Sequence, residues 1–344
     1  MNGLTFFLLL WLLTLAPAAT GSETIEPINW PSLTDRAERG DVIAQFSLGY
    51  AALHGEGVDQ DQEKAIHWLE RAAKQGYPLA QIKMAELHAT GSGVETDPEK
   101  AMAWYRKAAE QKAAAAQFAL AELLWQHPGS SQNKTEAVYW YRQTAQQGFI
   151  AAMVRLATIL RRGESGQSDP VEAEKWYRKA ADSGNITAKL ALAYMYYNGD
   201  GVSRDLRSAL EWYRQAAELG SGDAQLQLAY LCYNGYGIPK NDKMALHWFA
   251  QAAEQGLTEA QLNLAGLYLR GHGTAINYSE AYIWFNLAAT GEESNELTKR
   301  AQAGRAMAAR HLSREQLAEA QHQAEKRFIK QQRLTHSNTR QELP

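Results

Sequence analysis

One short stretch matches the S-x-x-K motif of serine acylases, with Ser131 three residues before Lys134. In such enzymes the serine hydroxyl attacks a carbonyl carbon, and two further motifs, S-D-N and K-T-G, complete the site. Neither motif occurs in the chain. We also expect Asn133 to cap a helix, which places the pair in a turn between helices. A serine acylase is therefore not predicted.

Three other kinds of chemistry are also not predicted. The nine histidines show no paired spacing for a metal, and His67 and His247, each one residue before a tryptophan, are expected on the surface. The single cysteine, Cys232, excludes a framework of intrachain disulfides. The Gly-x-Gly sequences follow no strand, so they are turns and not phosphate-binding loops. We predict no catalytic residue, no metal site and no cofactor, and the net charge of -3 does not favour nucleic acid as a partner.

The remaining chemistry is noncovalent recognition by aromatic, amide and guanidinium side chains. Seven such residues recur at 36-residue steps in the second half of the chain: Tyr194, Asn198, Gln227, Tyr230, Asn234, Asn263 and Arg270. Tyrosine and arginine are frequent where interfaces concentrate their binding energy, and amide side chains hydrogen-bond to peptide backbone. We expect these residues to bind a protein or peptide partner. The alternative is that they are tolerated surface residues without a role.

The elements that position these residues repeat with a fixed period. Tryptophan recurs every 36 residues at Trp68, Trp104, Trp140, Trp176, Trp212, Trp248 and Trp284. Alanine keeps the same step at Ala44, Ala80, Ala116, Ala152, Ala188, Ala224 and Ala260. A third column is always Asp or Asn: Asp61, Asp97, Asn133, Asp169, Asp205, Asn241 and Asn277. A period of this length predicts a solenoid of stacked repeats.

Each repeat reads as two helices joined by a turn. In the first repeat, helix A runs over 41–54 and helix B over 62–75. Asp61 has the residue type preferred at a helix N-cap, and Gly76 suits a left-handed C-terminal cap. Helix A is small or apolar around most of its circumference, so only positions 43, 47, 50 and 54 of each repeat are expected to face solvent. The tryptophan column on helix B is expected to lie in the core.

The repeats resemble the Sel-one-like repeat, an αα relative of the tetratricopeptide repeat. The resemblance is carried by stretches such as 223–238 (DAQLQLAYLCYNGYGI) and 245–256 (ALHWFAQAAEQG), and it covers 41–292. It implies an all-α, right-handed superhelical solenoid of seven 36-residue helix-turn-helix repeats. It also implies that tyrosines after the repeat tryptophan, such as Tyr213, are core residues. Repeats 2 to 4 depart from the pattern at Lys112, His127-Pro128-Gly129 and Ser165, where we expect the same fold with altered turns.

The two ends of the chain differ from the repeats. Residues 4–15 are apolar or threonine and precede Ala16-Pro17-Ala18-Ala19, which predicts a signal peptide over 1–19 with cleavage near Ala18-Ala19. The alternatives are a retained membrane anchor and an apolar start without a targeting role. Residues 20–40 are expected to form a lead-in with a short helix near Asp35. Residues 293–333 are expected to form capping helices that cover the last apolar face, and 334–344 a disordered tail.

The resemblance implies a function as well as a fold. Members are commonly non-enzymatic scaffolds that hold a peptide or protein in the concave groove, in envelope assembly, signalling or contact with host cells. We therefore expect an exported adaptor, periplasmic or extracellular, with no integral membrane segment after signal cleavage. The first alternative is a secreted factor that binds a host surface protein. A β-lactam-handling enzyme is disfavoured, because the relatives with that activity carry a disulfide in each repeat. The sequons at Asn133, Asn185 and Asn277 leave open an adaptor of the eukaryotic endoplasmic reticulum.

Overall fold

The computed structural model describes residues 29–127, 131–290 and 296–341, and every regular element in these ranges is an α helix. The predicted signal peptide and most of the lead-in lie outside the described residues. The chain forms two compact units, residues 1–168 and 169–344, which we call the N-terminal and C-terminal units. The boundary falls within the fourth repeat. No helix in the described ranges is long and apolar enough to cross a membrane.

The N-terminal unit contains eight described helices, and each packs on the next in chain order. They are α1 (Trp30–Glu38), α2 (Val42–His54), α3 (Gln62–Lys74), α4 (Pro78–Thr90), α5 (Pro98–Glu110), α6 (Ala114–Gln126), α7 (Ser131–Gln146) and α8 (Ile150–Arg162). Helix α1 precedes the first repeat and buries Ala37 against Ala44 and Leu48 of α2. This contact covers the apolar end of the stack, as a solenoid requires.

The C-terminal unit contains nine described helices, and each of the first seven packs on the next in chain order. They are α9 (Pro170–Asp182), α10 (Ile186–Asn198), α11 (Leu206–Glu218), α12 (Gly222–Asn234), α13 (Asp242–Glu254), α14 (Thr258–Arg270), α15 (Tyr278–Ala288), α16 (Glu296–Ala309) and α17 (Arg314–Gln341). Helices α16 and α17 both pack on α15 and cap the last repeat. The tail predicted to be disordered from 334 is helical as far as Gln341, because its polar residues include no glycine or proline to end α17 before that point.

The N-caps of helix B are as predicted in six of the seven repeats. The carboxylate or amide oxygen of Asp61, Asp97, Asp169, Asp205, Asn241 and Asn277 accepts from a backbone N–H in the first turn of the following helix. The prediction for Asn133 was wrong, because α7 already begins at Ser131 and Asn133 lies inside its first turn. Its amide nitrogen instead donates to the backbone oxygen of His127 at 2.9 Å. Asn185 is a cap, since it accepts from the N–H of Ala188 at the start of α10.

One turn shows how the chain tolerates a departure from the glycine pattern. Lys112 has a φ of +65°, and no other non-glycine residue in the described ranges has a positive φ. Glycine stands at the same point of other repeats, for example Gly76 with a φ of +92°. The backbone of repeat 2 therefore keeps the left-handed turn, at a steric cost that glycine would avoid.

The tryptophan column is only partly core. Trp140, Trp176 and Trp284 are buried, whereas Trp68, Trp104, Trp212 and Trp248 are half-buried. Each buried indole N–H donates to a glutamate four residues earlier, at 3.0 to 3.1 Å: Glu136, Glu172 and Glu280. The half-buried tryptophans have Lys, Ser or Met at that position. A buried indole N–H needs an acceptor, so the presence of this glutamate distinguishes the buried tryptophans from the half-buried ones. The residue after the tryptophan is buried in every repeat.

A column of buried glutamines links neighbouring helices and was not predicted. Gln45 of α2 donates to the backbone oxygen of Ala37 at 2.9 Å, and Gln75 at the end of α3 donates to the side-chain oxygen of Gln45 at 2.7 Å. Equivalent bonds are made by Gln81, Gln117, Gln225 and Gln261. We call this set the glutamine ladder. It is interrupted at Met153 and Lys189. Position 45, expected to be small or apolar, is therefore a polar core position.

Candidate partner-binding surface

The seven residues expected to bind a partner all lie on helix A of repeats 5 to 7, in the C-terminal unit. Tyr194 and Asn198 lie on α10, Gln227, Tyr230 and Asn234 on α12, and Asn263 and Arg270 on α14. Tyr194 is 50% exposed. Asn198, Gln227, Asn234 and Arg270 are also exposed, while Tyr230 and Asn263 are half-buried. We call these seven residues the helix A strip.

Two members of the strip are bonded to one another and to a third residue. The hydroxyl of Tyr230 donates to Glu259 Oε1 at 2.7 Å and accepts from Asn263 Nδ2 at 2.6 Å. The ring of Tyr230 also packs edge-to-face on Phe249, with centroids 5.2 Å apart. Burial, and then the bond to Glu259, raise the pKa of Tyr230. Tyr230 is therefore a fixed support of the strip, and replacing it with alanine would disturb packing as well as recognition.

The two asparagines at the ends of α10 and α12 hold a defined orientation. The amide nitrogens of Asn198 and Asn234 donate to the backbone oxygens of Tyr194 and Tyr230, each at 3.0 Å. No described residue donates to the side-chain oxygen of either asparagine. Each Oδ1 is thus an oriented acceptor that is open to solvent or to a partner.

Arg270 takes the corresponding position at the end of α14. Its guanidinium lies over Gly266, where a Cβ would come within 2.9 Å of Nη2. Tyr194 and Tyr230 stand where repeat 7 has Gly266, so the missing side chain makes room for the arginine. Within the described ranges no carboxylate forms an ion pair with Arg270. Its guanidinium is available to a carboxylate or carbonyl group of a partner.

Three members of the strip meet in one pocket with a volume of about 430 Å³. Its lining is Leu190, Ala191, Tyr194, Tyr197, Asn198, Tyr213 and Gln227. Tyr213 was expected in the core, and it is only 6% exposed. No described residue hydrogen-bonds to its hydroxyl, and its side chain forms part of the pocket lining. Burial, and then the neighbouring phenols of Tyr197 and Tyr194, raise the pKa of Tyr213 to about 12, so the hydroxyl remains protonated at neutral pH.

Two tyrosines of the pocket, Tyr197 and Tyr213, were not predicted as members of the strip, although the sequence contains a partial signal for each. Tyr197 recurs as Tyr233 after 36 residues, but its position was counted among the packed ones. Tyr213 follows the repeat tryptophan, where burial is the rule. Whether Tyr213 lines a pocket depends on the residue opposite it on α10. The 36-residue period alone does not identify that residue.

Some of the same helix A positions in the N-terminal unit carry charges, and these are already paired. Lys83 forms an ion pair with Glu86, and Arg155 lies 3.5 Å from Glu122. Lys83 also lies 5.8 Å from the ring centroid of Tyr50. The two units therefore present different chemistry at equivalent positions. Among the described residues, no three acidic, cysteine or histidine side chains are placed to hold a metal ion.

Stacked αα repeats define a helical-repeat protein. The chain belongs to the Sel1 repeat family, whose model matches 42–77, 78–112, 114–149, 150–185, 186–221, 222–257 and 258–292. Proteins of this family are generally non-catalytic scaffolds for protein–protein interaction. The sequence has no significant match among curated proteins.

Two solved structures extend the comparison. A protective antigen present in uropathogenic Escherichia coli strains is 28% identical, with a TM-score of 0.50, over 92% of this chain and 74% of that one. A Sel1 repeat protein from Oxalobacter formigenes is 24% identical, with a TM-score of 0.56, over 87% of this chain and 99% of that one. The second comparison shows the fold alone.

Proposed function

We propose that this protein is a non-enzymatic, exported adaptor that binds a segment of a partner protein along the helix A strip of its C-terminal unit. The observation that carries the proposal is the set of exposed polar groups without partners among the described residues. The side-chain oxygens of Asn198 and Asn234, the amide of Gln227 and the guanidinium of Arg270 all belong to it. They recur with the repeat, so a partner in extended conformation meets them in succession.

The chemistry of the strip suits a peptide better than other macromolecules. A peptide backbone alternates carbonyl acceptors and N–H donors, and exposed amide side chains supply the complement of both. Tyr194 adds a large contact area at small entropic cost, as tyrosine does at many interfaces. Arg270 at one end of the strip can hold a carboxylate of the partner.

Export is proposed on the sequence of the N-terminus. The apolar run 4–15 and the small residues before Thr20 have the pattern of a cleaved signal peptide. Mass spectrometry of the mature protein, isolated after cell fractionation, tests this proposal. A first residue near Thr20 and recovery outside the cytoplasm are expected, and an intact N-terminus in the cytoplasmic fraction would contradict export.

A second candidate function is binding to a host surface protein. The observation that favours it is the similarity to the Escherichia coli protective antigen over 92% of this chain. Location separates the two candidates, because an envelope adaptor stays in the periplasm whereas a host-binding factor is recovered in the medium or on the cell surface.

The test of the helix A strip is a comparison of two triple variants in partner capture. The strip variant carries Tyr194→Ala, Asn234→Ala and Arg270→Ala and leaves the supporting Tyr230 intact. We expect unchanged helical circular dichroism and a loss of at least about 2 kcal/mol of affinity for whatever the parent captures, the scale of a hot spot.

The matched control changes three exposed residues of the C-terminal unit outside the strip. These are Leu219, Tyr236 and Met244, which are 52%, 44% and 42% exposed. The control should bind like the parent. If the strip variant binds the partner normally and the control variant does not, the partner is recognised outside the helix A strip and the proposal is refuted.

A further inference from the structure

We propose that the pocket beneath Tyr194 binds an uncharged carboxamide group, the side chain of a glutamine or asparagine carried by the partner segment. This inference rests on the proposed function and gives the strip its sequence preference. The hydroxyl of Tyr213, which has no partner among the described residues at the floor of the pocket, is the group that recognises the amide.

The first step is a comparison between repeats. In repeat 3 the residue equivalent to Tyr213 is Tyr141, whose hydroxyl donates to Glu122 Oε1 at 2.8 Å. In repeat 2 burial, and then the nearby Glu86, raise the pKa of Tyr105 to about 12. These two repeats therefore place a glutamate of helix A beside the buried phenol.

Repeat 5 has replaced that glutamate. Tyr194 stands at the position of Glu86 and Glu122, and its side chain is half exposed. The hydroxyl of Tyr213 therefore has no acceptor among the described residues, and its side chain forms part of the pocket lining. The hydroxyl is not fully enclosed, so water can reach it, and a ligand atom that accepts from Tyr213 replaces that water.

The second step is the inventory of polar groups around the pocket. Tyr213 supplies a hydroxyl donor, and Gln227 supplies both a donor and an acceptor. Asn198 supplies an acceptor, because its amide nitrogen is bonded to the backbone oxygen of Tyr194 at 3.0 Å. No described residue bonds to Gln227. A ligand that satisfies this pocket must both accept and donate.

A carboxamide has that combination in one planar group, whereas a carboxylate accepts only. A bound carboxylate would face the oxygen of Asn198, and no charged side chain lines the pocket to neutralise it. Burying an unpaired charge is far more costly than burying a hydrogen-bonded amide. Leu190 and Ala191 complete the lining and provide an apolar surface for the methylene groups that carry the amide. The chemistry of the lining thus selects glutamine or asparagine over glutamate or aspartate.

The experiment uses the full chain with its tyrosines labelled with ¹³C at Cζ, an atom whose NMR frequency responds to hydrogen bonding of the hydroxyl. Tyr213→Phe identifies the Tyr213 resonance, and Tyr141→Phe identifies that of Tyr141, whose hydroxyl already has an acceptor. Repeats 6 and 7 have Phe249 and Phe285 at the position of Tyr213, so phenylalanine is compatible with the packing there.

The probes are butyramide and butyrate, which have the same shape and differ in charge. Butyramide should shift the Tyr213 resonance saturably and leave that of Tyr141 in place. Butyrate at equal ionic strength should bind at least about 10-fold more weakly, since its charge is uncompensated in the pocket. No shift of Tyr213 by butyramide, or equal shifts by the two probes, would overturn the inference. A saturable shift by chitotriose in place of butyramide would overturn it in favour of a saccharide site.

A second measurement separates this inference from the proposed function. Once the partner is captured, Tyr213→Phe should weaken its binding by roughly 5-fold, the effect of one neutral hydrogen bond, without changing the melting temperature. If the strip variant loses the partner and Tyr213→Phe does not, the helix A strip remains the binding surface and the carboxamide pocket is refuted. If neither variant loses the partner, the proposed function fails as well.

Discussion

The division of the repeat tryptophans into buried and half-buried members leads to a quantitative prediction. Trp176 is 7% exposed, and its indole N–H donates to Glu172 Oε1 at 3.0 Å. Trp212 lies 36 residues later in the same unit, is half-buried, and has no described hydrogen-bond partner for its indole. The substitutions Trp176→Ala and Trp212→Ala therefore compare the same side chain in two environments within one unit.

The magnitudes follow from burial. Removing a fully buried tryptophan costs about 3–5 kcal/mol, and the hydrogen bond to Glu172 places Trp176 in the upper part of that range. Trp212 keeps part of its surface in water, so its removal should cost about 2 kcal/mol. Urea unfolding monitored by circular dichroism gives the loss of stability from the shift of the midpoint.

Hydrogen exchange locates that loss. In a solenoid each repeat contacts only its neighbours, so the protection of α9 and α10 should fall more than that of α13 and α14 when Trp176 is removed. A loss below about 1 kcal/mol for Trp176, or equal losses for the two variants, would refute the assignment of Trp176 to the core.

Two further predictions concern the middle of the chain. Lys112→Gly should raise stability by about 0.5–1 kcal/mol because glycine adopts a positive φ without strain, measured by urea unfolding, and an unchanged or lower midpoint would contradict the strain at Lys112. Amides in 112–170 should exchange faster than those in the flanking repeats, because the glutamine ladder is interrupted at Met153 and the turn pattern departs there. Uniform exchange along the repeats would argue against a weak middle.

The predictable parts of the fold are the repeated features that depend only on residues close together in the sequence. A cap such as Asp61 needs only its own helix start, so the column of Asp and Asn predicted six N-caps. The N-cap prediction for Asn133 was wrong because α7 begins at Ser131, two residues before the repeat position of the cap. The recurrence of Asp and Asn every 36 residues does not reveal such a shift. The burial of Trp176 depends on Glu172 four residues away, which the column of tryptophans does not include.

For the helix A strip, the sequence predicted which residues are exposed to solvent but not the hydrogen bonds between them. Positions of the helix A strip follow from the helical period, and five of its seven residues are exposed. The bonds of Tyr230 to Glu259 and Asn263 join different helices, so no single repeat contains the information. The buried glutamines recur every 36 residues, at Gln45, Gln81 and Gln117, so the sequence does contain a signal for them. The hydrogen bonds that satisfy a buried glutamine join different helices, and the 36-residue period does not identify the partners.

The comparison between units explains why recognition is proposed in only one of them. In the N-terminal unit, helix A positions hold acids and bases that pair with each other, as Lys83 does with Glu86, and such pairs must be separated before a partner can use them. In the C-terminal unit six of the seven residues of the helix A strip are neutral amides or phenols, and Arg270 is the charged one. Tyr194 stands where repeats 2 and 3 have Glu86 and Glu122, so repeat 5 has no carboxylate there to accept from Tyr213. A single difference on helix A thus leaves the hydroxyl of Tyr213 available to the ligand proposed above. The reverse exchange, Tyr194→Glu, should restore an acceptor for Tyr213 and close the pocket to butyramide.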